Sequence, residues 1–292
     1  VEIVSATVTG SVGAGPQSSL TGEFRVKEGK ALVGESHVPA SDLAAVVSVE
    51  VGRIRVSNLS GLYGMIHMNE SKALISFLET GPWLEMDILG AMTAADLVQF
   101  LSQTVKSEQL SRVLAASRDV EGNAVPMFRM VGPLNQPGGV TFAGGEITVQ
   151  QVSLTNPSLP DRVTALQGRV LLSDGGTRFD QMSGQLGDLT LQISGGITGG
   201  TGSTFQDFLI RVTGDAGHMI KLLPSQAISA GVIDGLVNGA VVLTGPTISP
   251  HIRGEVVLTE SKVTVPDLVE KPVGAQAMVE FEGVVPQGSG VL

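Results

Sequence analysis

Cysteine is absent from all 292 residues, which removes disulfides and thiolate metal ligands from consideration. A chain of this kind fits an oxidising compartment such as a bacterial periplasm. Aromatic residues make up only 4%, with one Trp and one Tyr. That is too few for a stacking platform or an aromatic sugar site, and the core must come from Val, Leu and Ile. Positive charge is scarce as well: 18 Lys and Arg stand against 28 Asp and Glu, a formal net charge of −10. This balance argues against nucleic acid as a partner, because phosphate backbones need clustered cations. It also leaves no polybasic patch for anionic lipid headgroups. No run of 18 apolar residues occurs, so no transmembrane helix is encoded within the chain. The chain opens on Val1 without a signal peptide, and we expect a fragment or processed chain whose anchor or targeting signal lies outside it.

Catalytic and metal-binding patterns are equally sparse. His37, His67, His218 and His251 stand apart, without metal-ligand spacing or a His-Glu-x-x-His helix. Gly10-Ser11-Val12-Gly13-Ala14-Gly15 and Gly195-Gly196-Ile197-Thr198-Gly199-Gly200 lack the Gly-Lys-Ser/Thr of a phosphate loop and read as turns between strands. No Gly-x-Ser-x-Gly elbow presents a nucleophile. Asp161, Asp174, Asp180 and Asp188 fall among glycines, where Asp serves hairpin turns before it serves calcium; Asp174-Gly175-Gly176 reads as such a turn. These residues indicate no enzyme, no cofactor and no metal.

What is abundant is glycine, 38 residues of it, punctuating short runs of period-two alternation. Arg53-Ile54-Arg55-Val56-Ser57, Trp83-Leu84-Glu85-Met86-Asp87-Ile88 and Leu189-Thr190-Leu191-Gln192-Ile193-Ser194 each put apolar side chains on one face of a strand and polar ones on the other. One long helical signal interrupts them. Thr93 is placed to cap it with Asp96 at N3, and Leu97, Phe100, Leu101, Val105, Leu110, Val113 and Leu114 form an apolar stripe. The polar residues 106–109 divide that stripe, and Asp119 to Gly122 ends it. A shorter helical piece is expected over roughly residues 218–236, interrupted by Pro224. The organisation expected is a mainly β chain: a first, degenerate β unit over 1–92, a helical insertion over 93–120, a second β unit over 121–216, a short helical insertion over 217–238, and a third, incomplete β unit over 239–292.

The β units share a form. Gly254-Glu255-Val256-Val257-Leu258 leads through Val263-Thr264-Val265-Pro266-Asp267-Leu268. Gly145-Glu146-Ile147-Thr148-Val149 likewise leads through Val152-Ser153-Leu154-Thr155 to Gly168-Arg169-Val170-Leu171-Leu172, and Gly22-Glu23-Phe24-Arg25-Val26 is a weaker copy. The recurrence implies a repeat of roughly 110 residues and stacked antiparallel sheet units. Alternation assigns Ile147, Val149, Val152, Leu154, Val170, Leu172, Leu189, Leu191, Ile193, Phe208, Ile210, Val256, Leu258, Val263 and Val265 to an apolar face. It does not decide between the lining of a groove and the filling of a closed core.

Three strings resemble the AsmA-like family of Gram-negative envelope proteins, the TamB and YhdP types among them. They are Gly81-Pro82-Trp83-Leu84-Glu85-Met86-Asp87 with Ala95-Asp96-Leu97, Asn156-Pro157-Ser158-Leu159-Pro160 with Leu166-Gln167-Gly168-Arg169-Val170, and Leu243-Thr244-Gly245-Pro246-Thr247-Ile248-Ser249-Pro250-His251-Ile252-Arg253-Gly254-Glu255-Val256. The likeness covers roughly residues 50–283, with the family's N-terminal membrane helix missing. It implies an elongated, U-shaped β-groove with a greasy inner face, anchored to the inner membrane by a segment outside this chain. It further implies a periplasmic location, phospholipid as cargo, partners in the envelope membranes at either end, and outer-membrane assembly as the purpose. The competing expectation is a β-solenoid scaffold or adhesin-like module that carries no lipid.

Overall fold

The computed structural model describes residues 2–14, 20–33, 38–104, 108–136, 138–199, 202–215, 232–264 and 276–284. The fold is mainly β. Its first strands are β1 (Glu2–Ala14), β2 (Leu20–Val33), β3 (Val38–Glu50), β4 (Arg53–Tyr63), β5 (Ile66–Leu78) and β6 (Gly81–Thr93), followed by α1 (Ala94–Thr104) and α2 (Glu108–Ala115). Then come β7 (Arg118–Pro133), β8 (Thr141–Thr155), β9 (Val163–Ser173), β10 (Gly176–Leu186) and β11 (Leu189–Thr198). The last four are β12 (Thr204–Asp215), β13 (Val232–Pro246), β14 (His251–Thr264) and β15 (Gln276–Val284). All fifteen belong to one sheet in unbroken chain order, and it does not close on itself. Contacts divide the chain into two units, Val1–Asp96 with Ala124–Ile147 and Leu172–Asp174, and Leu97–Asn123 with Thr148–Leu171 and Gly175–Leu292.

A β-strand shows alternate residues to alternate faces, so a long strand keeps one apolar face only while its sequence stays in phase. Here the phase slips once in most strands, and the backbone slips with it. Among the described residues, ten non-glycine residues have φ between 47° and 54°: Glu28, Asp42, Asn58, Glu70, Asp119, Gln151, Ala165, Gln181, Asp207 and Glu260. All sit within strands, and register shifts bracket Glu28, Asp42, Asn58, Glu70, Gln181 and Asp207. These are β-bulges, in which one extra residue turns outward and the alternation resumes on the same face. In β5, Ile66 and Met68 are buried, Asn69 and Glu70 are exposed, and Ser71 and Ala73 are buried again. In β8 the same step runs through Ile147 and Val149, past Gln150 and Gln151, to Val152. The left-handed position favours short polar residues, and none of the ten is β-branched.

Four of these bulges push carbonyl oxygens toward the next strand, and there the sequence places glycine. A Cβ on Gly61 would stand 2.7 Å from the Ser41 oxygen and 3.0 Å from that of Asp42. Gly122 meets the Gln151 oxygen at 2.7 Å, Gly168 meets that of Gln181 at 2.7 Å, and Gly195 faces that of Asp207. Their φ values of +139°, +108°, +140° and +114° lie outside what an L side chain adopts comfortably. Gly195 and Gly196, expected in a turn, are therefore part of β11. Asp174 and Gly175 do form the two-residue turn between β9 and β10.

A bulge also breaks the hydrogen-bond ladder, and in β5 a side chain mends it. Ser71, fully buried, donates its hydroxyl to the Leu89 carbonyl and accepts from the Leu89 N–H, both at 2.9 Å. An apolar residue there would leave two buried backbone groups unpaired.

The helices begin as expected: the Asp96 N–H donates to Thr93 Oγ1 at 3.1 Å, and the Thr93 hydroxyl donates to Asp96 Oδ2 at 2.7 Å. The helical stripe divides into α1 and α2, and β7 already begins at Arg118. Val105 lies outside the described residues. The turn Asn156-Pro157-Ser158 fastens the end of α2. Asn156 Nδ2 donates to the Val113 carbonyl at 2.7 Å and to Ser117 Oγ at 3.1 Å, while its Oδ1 accepts from the Ser158 N–H at 2.9 Å. The Val113 carbonyl near the helix C-terminus, which also accepts from the Ser117 hydroxyl at 3.4 Å, is thereby satisfied. The second helical expectation needs correction: residues 232–236 belong to β13, where Leu236 pairs with Thr259 and Asp215. Residues 216–231 lie outside the described residues.

Gly168→Ala should lower stability by about 3 kcal/mol, since the added carbon meets backbone at a φ it disfavours. Gly52→Ala, at φ +73° with no atom within 4 Å, should lose only about 1 kcal/mol; chemical denaturation of the two variants measures the difference. Tyr63, packed with Ala40 and Leu43, has its phenol pushed above the usual value of 10.0 by burial. Its stability contribution is complete below the unfolded pKa and falls as pH rises past it toward the higher folded value. Because the chain has one tyrosine, phenolate absorbance in folded and denatured protein reads both values directly, and the folded one should be the higher.

Candidate functional site: an apolar sheet face

The second unit shows how register assembles the face. Leu191 of β11 lies opposite Gly184 of β10 and Val212 of β12; Val212 faces Gly239 of β13, which faces Val256 of β14. The neighbouring row runs Met182, Ile193, Ile210, Val241 and Gly254. Directly paired residues of antiparallel strands share a face, so these rows form one apolar surface across five strands. Leu189, Val212 and Val237 are its buried centre, with Leu191, Ile210, Val256 and Leu258 packed around them.

Aromatic contact closes one part of it. The Phe179 and Phe208 rings meet edge to face with centroids 5.6 Å apart, and Phe205 lies 5.1 Å from Phe208. Phe179 and Phe208 stand on strands separated by β11, about 9.6 Å apart in the hydrogen-bonding direction. The residue opposite Phe179 on β11 is Gly195, whose missing side chain leaves the space where the rings touch.

The fifteen sequence candidates divide by burial. Ile147, Val149, Val152, Leu189 and Phe208 are buried. Leu154, Val170, Leu172, Leu191, Ile193, Ile210, Val256 and Leu258 are half-buried, each keeping part of its aliphatic surface open to solvent. Ile147 and Leu172 belong to the first unit and the other eleven to the second. Val263 stands on β14 opposite Ile233, and Val265 lies outside the described residues. Sequence reading passed over Met182, Leu186, Val237 and Leu243, all buried. Met182 follows the Gln181 bulge and so breaks simple alternation, and Val237 lay within the segment 217–238 expected as a helical insertion.

The opposite face is polar. In the second unit Arg162 pairs with Glu121 at 2.8 Å and Arg169 with Asp180; within the first unit Lys72 pairs with Asp87 at 3.5 Å and Arg129 with Glu85 at 3.0 Å. These largely exposed pairs add little stability but keep that side of each unit wetted. A shallow depression of about 430 Å³ lies on that side of the second unit, lined by Thr148, Gln167, Gly168, Arg169, Asp180, Gln181 and Ser183. Its lining includes the charged Arg169–Asp180 pair and the side chains of Gln167 and Gln181, which a hydrocarbon would have to desolvate. Among the described residues no group of His, Asp or Glu could hold a metal ion, and His67 and His251 are exposed on β5 and β14. His37 and His218 lie outside the described residues.

If the face has a packed centre and an open margin, truncations should separate them. Leu189→Ala should lower stability by about 3 kcal/mol, and Leu258→Ala by about 1 kcal/mol, scaled to its smaller loss of buried area. Equal losses measured by urea denaturation would mean that both belong to one closed core. No family model, curated protein or solved structure matches the chain.

Proposed function

We propose that this chain is a non-enzymatic component of a Gram-negative envelope whose apolar sheet face binds phospholipid acyl chains and passes them between the inner and outer membranes. In this reading the face curves into the U-shaped groove of the AsmA-like proteins. The chain works in the periplasm, held at the inner membrane by a segment outside it, with membrane proteins at each end as partners. One observation carries the reading: eight aliphatic side chains assigned to this face, Leu154 to Leu258, remain half-buried on a sheet that does not close.

The energetics suit a sliding cargo. Each methylene withdrawn from water is worth about 0.8 kcal/mol, so a whole acyl chain gains on the order of 10 kcal/mol. A deep pocket would hold such a chain fast. Rows of similar aliphatic positions, each partly open, give a series of shallow sites of nearly equal depth. The polar opposite face, with its ion pairs, keeps the same sheet in contact with water.

The test is a photo-reactive amino acid placed at Leu191 or Leu258 in cells, with Gln192 and Arg211 on the polar face as controls. Phospholipid attached at the first two sites and not at the controls is the expected result, matched by lipid released from the purified chain in native mass spectrometry. Protein free of lipid at every site would overturn the proposal in favour of a scaffold.

A further inference from the structure

Three of the four exposed large hydrophobics among the described residues of the first unit gather at hairpin tips, the fourth being Met127 on β7. Val51, Phe77 and Leu78 are 73%, 55% and 52% exposed, and they sit at two hairpin tips, the β3–β4 turn and the β5–β6 turn. The tips are stitched together. The Phe77 N–H donates to the Gly52 carbonyl at 2.8 Å, Asn135 Nδ2 donates to the Thr80 carbonyl at 3.3 Å, and the Leu134 N–H donates to the Pro82 carbonyl at 2.9 Å. Three large apolar groups are thus held out into solvent on a braced support, where a loose loop would fold them back.

Val51 and Phe77 also continue the apolar face of that unit, whereas Leu78, the next residue along β5, turns to the other side. Along β5 the same-face residues pass from Ala73, buried, through Ile75, half-buried, to Phe77, exposed. Along β3, Val47 and Val49 are half-buried and Val51 is exposed. Val49 pairs with Ile54, Ile54 with Ile75, and Ile75 with Leu84, so the strip is continuous from strand to strand.

We propose that these tips insert into the interfacial layer of a zwitterionic phospholipid bilayer and bring the apolar face of their own unit to its lipid. The choice of partner rests on the lipid reading above. Charge favours this occupant. The turns carry the Glu50–Arg53 ion pair and Glu79, so the tips are close to neutral in a chain of net charge −10. An anionic surface would repel that chain, whereas a zwitterionic one admits neutral apolar tips. Phe and Leu with a nearby Trp are the side chains that partition into the headgroup boundary, and Trp83, opposite Ser76 on the adjoining strand, is the chain's single tryptophan.

That tryptophan is a native probe. Phosphatidylcholine vesicles with brominated acyl chains should blue-shift and quench Trp83 in the intact chain. The double variant Phe77→Ser with Leu78→Ser, and separately Val51→Asp, should weaken vesicle partition at least about tenfold with no change in thermal midpoint. Absence of quenching in the parent, or equal partition by the variants, overturns the assignment. So does a parent that self-associates through these residues in place of binding vesicles. Photo-crosslinking at Leu191 and Leu258, read in the same preparations, separates the two ideas. Lipid on the face without vesicle binding removes the tips and leaves the cargo reading. Tip-dependent vesicle binding without lipid on the face supports the tips and removes the cargo reading.

Discussion

The contact between a bulged carbonyl and the glycine beside it is the constraint on which this sheet depends. A strand of 9 to 16 residues cannot keep one side oily by alternation alone once its sequence slips by a residue. The bulge absorbs the slip, and its price is an oxygen pressed toward the neighbouring strand. Gly61, Gly122, Gly168 and Gly195 accept that oxygen because they have no side chain to lose. Much of the chain's glycine is thereby explained as part of the sheet itself, in addition to its turns.

How much of this could be read from residues alone follows the range of each interaction. Short alternations such as 189–194 and 83–88 report a strand directly, because the pleat is a local property. The cap of Thr93 and Asp96 is local too, and both were legible. The pairing of Val149 with Val152 on one face was visible only as an irregularity, since the bulge that reconciles them is a backbone event. Ser71 gave no signal at all: a serine between Glu70 and Lys72 looks like surface until its hydroxyl is seen to replace a ladder bond. The stretch 232–236 was misassigned because its apolar spacing fits a helix as well as a strand, and only the pairing with β14 decides. Among the site candidates, alternation located the face but could not rank it. Leu189 and Leu191 look alike in sequence, and burial separates them.

The two faces divide labour in a way that suits the proposed cargo. Ion pairs and bulge residues occupy the wetted side, where Glu70, Gln151, Gln181 and Asp207 are exposed, and aliphatic rows occupy the other. Glycines at 184, 239 and 254 interrupt those rows, so the apolar surface is notched where a uniformly filled core would be flush. Asn156 adds a fixed point at the other end of the strands, binding the helical segment to the β8–β9 turn through two hydrogen bonds while a third holds the turn itself.

Strand order carries a consequence for how such a chain is made. Because every strand pairs with its immediate predecessor, a polypeptide emerging from the ribosome can dock each new segment on one already in place, without waiting for a distant partner. Loop closure is short at nearly every step, which favours rapid, stepwise growth, and at any moment one growing margin is open to mispairing. Lengthening by hairpin duplication would need no rethreading, so the gene could extend its product in increments of two strands.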